Sequence, residues 1–192
     1  NAHHIDTMVF FMFLTITQGK PQVVGVITYH GDEKSLLSKV ASIEKYSEHP
    51  LSQAIVEKAV AEKLDFSEVE NFTSLTGRGL QGEVAGQTFY IGNRRLMEEL
   101  QVDLGASEAA VLAATQKGQT PIYISANQQL LGVITVADLL KVDSKETVAK
   151  LQNKGIDVVL LTGDNSKTAQ AIAKQAGIKT HYVSADLEKA EM

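Results

Sequence analysis

The chain has 192 residues, a net charge of −5 and no cysteine. That length suffices for one large domain or two small ones with buried cores. The acidic balance excludes a nucleic-acid groove, which needs a basic surface; the missing thiols exclude a disulfide framework or thiolate metal centre and suit a reducing compartment.

The chain opens on Asn1-Ala2 rather than Met, which reads as an excised fragment. The apolar run Met8 to Ile16 is too short to cross a bilayer. Thr7 to Ile16 predicts a strand apolar on both faces, as in the centre of a parallel sheet. Gly19 and Pro21 in TQGKP are predicted to break it, and QVVGVITYH to form a second strand. Two helices are expected next. The first runs from about Asp32, a suitable N-cap, to Tyr46. The second starts at His49-Pro50, with Pro in the first turn and an apolar stripe Leu51, Ala54, Ile55, Ala59.

Val69 to Ile91 alternates and is punctuated by Gly77, Gly79, Gly82 and Gly86, which predicts two or three antiparallel strands with tight turns. Helical stretches follow at Arg94 to Leu100 and Ser107 to Lys117. PIYISANQQLLGVITVAD reads as a hairpin turning at Ala126-Asn127-Gln128. After residue 138 the style changes. A polar-faced helix from Asp143 to Lys154 stops at Gly155; IDVVLLT is an unbroken apolar strand; GDN leads into a helix from Ser166 to Ala176. Strand–helix alternation of this kind builds a parallel sheet with crossover helices. The middle is therefore antiparallel α+β and the two ends parallel α/β, the pattern of a parallel domain split by an insert.

Three stretches carry candidate chemistry. Gly77-x-Gly79-x-x-Gly82 has the spacing of a dinucleotide fingerprint, but LQGEVAGQTFYIG continues as strand where that fingerprint opens a helix. Two readings stay open for these glycines: turns that need positive φ, or backbone that lets ligand phosphates approach. Glu48 and His49 stand at a helix N-terminus. They are either a capping pair or a purine site, in which the imidazole meets the ring and the carboxylate accepts from an exocyclic amine. Thr162 ends a buried strand before Gly163, Asp164 and Asn165, at the carboxyl end of a parallel sheet where ligands collect. His3 and His4 read as terminal residues rather than a metal site.

Together, Ser47 to Leu51 (SEHPL), Gly77 with Gly79, Gly92-Asn93, Ala137-Asp138 and Thr162 to Asn165 (TGDN) resemble the cytoplasmic catalytic unit of heavy-metal P-type ATPases. The resemblance covers nearly the whole chain and is nearest to copper transporters. It implies an α/β, haloacid-dehalogenase-like parallel sheet, incomplete here, at residues 3–22 and 129–192. An inserted α+β nucleotide-binding domain, an antiparallel sheet flanked by helices, would fill 23–128. It further implies that His49 packs on adenine, that Glu48 reads its amino edge, and that Gly77 and Gly79 admit the phosphates while Gly92 and Asn93 form the facing wall. Thr162 and Lys189 would grip the transferred phosphoryl group, with Asp164 positioning nucleotide and Mg2+. The parent protein would be an integral membrane ATPase with this domain in the cytoplasm. It would couple ATP hydrolysis to copper(I) export and act with transmembrane and actuator domains of the same polypeptide.

The sequence departs from that family where the chemistry should occur. Phe11 stands at the position of the nucleophilic Asp, followed by Met12, Phe13 and Leu14 in place of Lys, Thr and Gly. A phenyl ring has no oxygen for phosphoryl attack, so the chain as written binds ATP without forming an aspartyl-phosphate. Lys141-Val142 replaces the usual Arg-Pro, and the tail around Lys189 fits the family pattern loosely. Two other readings compete: a soluble dehalogenase-like phosphatase with a cap, and a non-catalytic nucleotide-binding module.

Overall fold

The computed structural model describes residues 7–11, 15–162 and 166–183. The chain divides into two compact units. One comprises residues 1–20, 115–119 and 138–192, the other 21–114 and 120–137. Residues 129–137, assigned above to the split domain, cluster with the second unit because the hairpin they belong to stays paired as far as Val136.

In the first unit, β1 (Thr7–Phe11), β8 (Asp157–Thr162) and β9 (Thr180–Val183) form a parallel sheet in the order β1-β8-β9. Helices α5 (Ser144–Asn153) and α6 (Ser166–Ala176) supply its cover. Ile16, Val148, Val158, Leu160, Ile172, Ala173 and Ile178 make one buried cluster. This is the parallel α/β half expected from strand–helix alternation. Two details differ from expectation. β1 lies at the edge of the described sheet, and Val9 is 51% exposed while Phe10 packs on the core. The strand's alternate residues therefore face different surroundings, although both sets are apolar. Second, Gly19 and Pro21 do not break a strand. β2 (Thr17–Thr28) runs through both. It is an edge strand of the larger sheet, where proline's missing N–H leaves no ladder bond unmade.

The second unit is built on that larger sheet. β3 (Glu70–Leu75), β4 (Gly79–Val84), β5 (Gln87–Gly92), β6 (Thr120–Ala126) and β7 (Gln129–Leu140) pair antiparallel in succession. With β2 they make six strands in the order β2-β7-β6-β5-β4-β3. The β6–β7 turn falls at Asn127 and Gln128, with φ of 50° and 58°, the double positive-φ geometry of a tight hairpin. The period of two along β6 sorts the core into two layers. Ile122, Ile124 and Ala126 join the cluster under α1 (Glu33–Glu44) and α2 (Pro50–Ala61). Tyr123 joins the opposite cluster with Leu96 and Met97 of α3 (Arg94–Glu99) and Val111 of α4 (Glu108–Gln116). Helices thus cover both faces of the sheet, because strands such as β6 offer apolar side chains both ways.

The helix starts follow the local sequence as expected. Asp32 caps α1 by accepting from Ser35 N at 2.9 Å. Pro50 opens α2, whose Ala54, Ile55 and Ala59 are buried. The third glycine of the Gly77-x-Gly79-x-x-Gly82 pattern has a packing role. A Cβ at Gly82 would come within 2.9 Å of the Ile43 side chain, so its absence lets the C-terminal turn of α1 settle on β4.

Candidate functional site

The second unit contains a cavity of about 350 Å³ between the ends of α1 and α2 and the tips of β3, β4 and β5. His49, Gly77, Gly79, Gly92 and Asn93, five residues named from the sequence, all line it. Leu51, Leu75, Leu80, Ile91 and Ile122 give it apolar walls, and Glu44, Ser47 and Ser52 put polar groups among them. An apolar slot with a few fixed polar groups suits a flat heteroaromatic ligand.

His49 is the N-cap of α2. Its Nδ1 accepts from Leu51 N at 3.2 Å. With Nδ1 accepting, the ring N–H is left to Nε2. The cap also locks the ring's position, because the bond orients it against the first turn of the helix. Capping and lining the cavity, offered above as alternatives, are one arrangement. Ser47 supports it: its Oγ accepts from His49 N at 3.2 Å and lies 2.8 Å from Ser52 Oγ.

Glu48 does not line the cavity; its side chain is exposed. The carboxylate in the cavity wall is Glu44, which sequence reading passed over. Glu44 is only 4% exposed, and among the described residues its Oε2 has no hydrogen-bond partner. Burial pushes its pKa up to about 7, against the opposing pull of the Ser52 hydroxyl. A buried acceptor without a donor is costly. The residue is part of the cavity lining. The signal was in the sequence. Leu37, Val40, Ala41 and Glu44 follow one another at helical spacing, which places Glu44 on the buried stripe of α1.

The two glycines of the β3–β4 turn differ. Gly77 has φ of 69°, and a Cβ added there would meet nothing within 4 Å, so it combines a left-handed turn with open space. Gly79 has φ of 150° and pairs with Gly92 across β4 and β5. A Cβ there would overlap the Ile91 carbonyl and the Gly92 Cα. Gly77 thus leaves room beside the turn, while Gly79 is required by the close crossing of two backbones. Asn93 ties the wall together. Its Oδ1 caps α3 by accepting from Leu96 N at 3.1 Å, its Nδ2 donates to Gly77 O at 2.9 Å, and its backbone N donates to Arg78 O at 2.9 Å.

In the first unit, Phe11 closes β1 and pairs in register with Leu161; Thr162 is the next residue and closes β8. These two backbone positions are neighbours at the carboxyl end of the parallel sheet. In the same unit, Asp138 accepts from Thr17 Oγ1 at 2.6 Å and from Gly19 N at 3.0 Å. The Ile16 carbonyl accepts from Ser144 Oγ at 2.7 Å and Lys141 N at 3.0 Å. Residues 16–19 are therefore fastened from residues 138–144. Met12, Phe13, Leu14, Asp164 and Lys189 lie outside the described residues. Among the described residues, no group of three His, Asp or Glu side chains is placed to hold a metal ion, and no helix is long and apolar enough to cross a membrane.

The haloacid dehalogenase-like hydrolase family matches residues 14–191. A copper-exporting P-type ATPase of Bacillus subtilis (strain 168) is 38% identical over 178 residues, 92% of this chain and 22% of that protein. A probable copper-importing P-type ATPase A of Enterococcus hirae is 34% identical over 186 residues, 97% of this chain and 25% of that protein. Among solved structures, a zinc-transporting PIB-type ATPase in the E2.Pi state superposes with a TM-score of 0.83 at 29% identity, covering 93% of this chain and 29% of that one. The chain thus spans about a fifth to a quarter of the length of the relatives it resembles.

Proposed function

The chain belongs to the haloacid dehalogenase-like hydrolase family, and from that premise we propose that it is the nucleotide-binding and partial phosphorylation portion of a copper(I)-exporting P-type ATPase. The reading is supported by one observation above all. His49, Gly77, Gly79, Gly92 and Asn93 surround a single apolar cavity that Glu44 also lines, and among the described residues Glu44 Oε2 has no hydrogen-bond partner.

Each group has a task in holding adenine. The purine lies between Leu51, Leu80, Ile91 and Ile122, where its faces lose water. The His49 imidazole, fixed by its capping bond, packs against the ring and presents Nε2–H. Glu44 Oε2 accepts from the exocyclic amine, which satisfies the carboxyl and selects adenine over guanine. The opening beside Gly77 lets the ribose and phosphates leave the slot along the turn. Asn93 holds that turn open by engaging the Gly77 carbonyl.

The phosphoryl end works differently in this chain. Phe11 offers no nucleophile, so bound ATP is not converted into an aspartyl-phosphate here. Thr162, Asp164 and Lys189 remain the candidates for phosphoryl contacts, and the parent protein's Mg2+ would belong to that end. The names of the curated relatives support copper as the cargo, and the Bacillus subtilis protein's name supports export; the copper(I) state belongs to the family resemblance. The nucleotide unit would then face the cytoplasm and act with membrane and actuator domains of the same polypeptide.

Calorimetric titration of the 192-residue chain with ATP tests the reading. Binding is expected, weakened about tenfold by His49→Ala. No heat of binding, or an affinity untouched by His49→Ala, would count against it.

A further inference from the structure

Arg78 lies between the two glycines of the β3–β4 turn and lines the same cavity. It is the one lysine or arginine among the lining residues. Its backbone is fixed at both ends: its N–H donates to Leu75 O at 2.9 Å, and its carbonyl accepts from Asn93 N at 2.9 Å. Its side chain is held less firmly. The side chain is 39% exposed and donates through Nη1 to Glu99 Oε2 at 2.7 Å. Glu99, also 39% exposed, takes Arg95 Nε on its other oxygen at 3.1 Å. Glu99 is thus shared by two arginines, and its carboxyl is held below the usual range by Arg78 first, with Arg95 adding to the effect.

We propose that Arg78 is the phosphate-recognising residue of this cavity, held on Glu99 when the cavity is empty and transferred to the polyphosphate of a bound nucleotide. The inference rests on the nucleotide reading above and extends it. An exposed ion pair holds weakly. A polyphosphate carries several charges and matches the planar fork of a guanidinium better than one shared carboxylate does. The exchange strands no charge, because Arg95 keeps Glu99 when Arg78 leaves. The turn's geometry favours the exchange as well. Gly77 leaves open space on one side of Arg78, and the backbone bonds to Leu75 and Asn93 hold the Cα in place while the side chain moves. Glu99 becomes a competitor that sets nucleotide affinity, and the site separates nucleoside triphosphate from nucleoside.

The experiment compares ATP and adenosine by calorimetry on wild type, Arg78→Ala and Glu99→Gln. Arg78→Ala is expected to weaken ATP about tenfold and to leave adenosine within about twofold. Glu99→Gln is expected to tighten ATP about threefold, with adenosine unchanged, because it removes the competing charge. The salt dependence of ATP affinity should become shallower in Arg78→Ala. Unchanged ATP affinity in Arg78→Ala overturns the proposal. So does a parallel loss of ATP and adenosine in both variants, which is the signature of a turn clamp. A wild-type chain that binds neither ligand sinks the nucleotide reading itself and this inference with it. Adenosine binding that survives with ATP indifferent to Arg78 sinks the inference alone.

Discussion

The cavity beside His49 and the carboxyl end of the parallel sheet make different demands on sequence. In the cavity, every family-like residue has a structural reason to be itself. His49 caps a helix, Asn93 caps another and holds Gly77, and Gly79 and Gly92 touch backbone to backbone. At the sheet's end, Phe11 closes β1 in register with Leu161, and Thr17 and Gly19 are fastened to Asp138. The strand pairing and this anchoring are in place with a phenylalanine at the end of β1. Cavity residues that cap helices or bring backbones together are hard to change without changing the fold. The residue that ends β1 can change with the β1 ladder still in place.

The largest test of this contrast restores chemistry. Phe11→Asp with Met12→Lys, in the full-length protein, is expected to take covalent phosphate labelling from none to a hydroxylamine-sensitive signal. Persistent absence of label would mean that the phosphoryl end lacks more than its nucleophile. Next in size is Gly79→Ala. It forces a side chain into the Ile91 and Gly92 backbone and should cost about 3 kcal/mol or more in denaturant unfolding, with loss of nucleotide binding. Gly77→Ala meets open space and carries only the cost of positive φ, about 1 kcal/mol. Equal costs at the two glycines would contradict the roles given to them.

Glu44 supplies a pH test. Its folded pKa is raised from 4.5 to about 7, so the folded state holds this proton more tightly than the unfolded chain does. Its contribution to stability is complete below about pH 4.5 and is lost as pH rises through about 7, on the order of 3 kcal/mol. Glu44→Gln should flatten that part of the stability profile. Adenosine binding should run the opposite way, because an ionised carboxylate accepts more strongly from the amine than a neutral carboxyl does: affinity rises with pH across the same window in wild type and not in Glu44→Gln. The smallest expected effect is that of Glu48→Ala, within about twofold for ATP, since its exposed carboxylate is outside the cavity.

That last pair shows what sequence could and could not convey. Helix starts at Asp32 and Pro50, the turn at Asn127-Gln128 and the split between parallel ends and antiparallel middle were all legible, because they depend on local chemistry and pattern. Which carboxylate lines the cavity was only half legible: helical spacing marks Glu44 as buried but not as part of the cavity. Glu48 adjoins His49 in sequence and invites the pairing, yet adjacent residues at a helix start point apart. Glu44 reaches the cavity through the seating of α1, which depends on Ile43 meeting Gly82 thirty-nine residues on. The run of β2 through Gly19 and Pro21 was hidden for a similar reason. Breakers are tolerated on an edge strand, and edge position is a property of the assembled sheet.

The most direct measurement is residue-by-residue NMR of the chain's backbone amides during titration with adenosine. If a purine occupies the cavity beside the His49 imidazole and the buried carboxyl, the largest shifts cluster at residues 44–52, 77–80 and 91–93, and Glu48→Ala preserves them. Shifts confined to other parts of the chain, or a cavity that stays silent at saturating adenosine, would contradict the account.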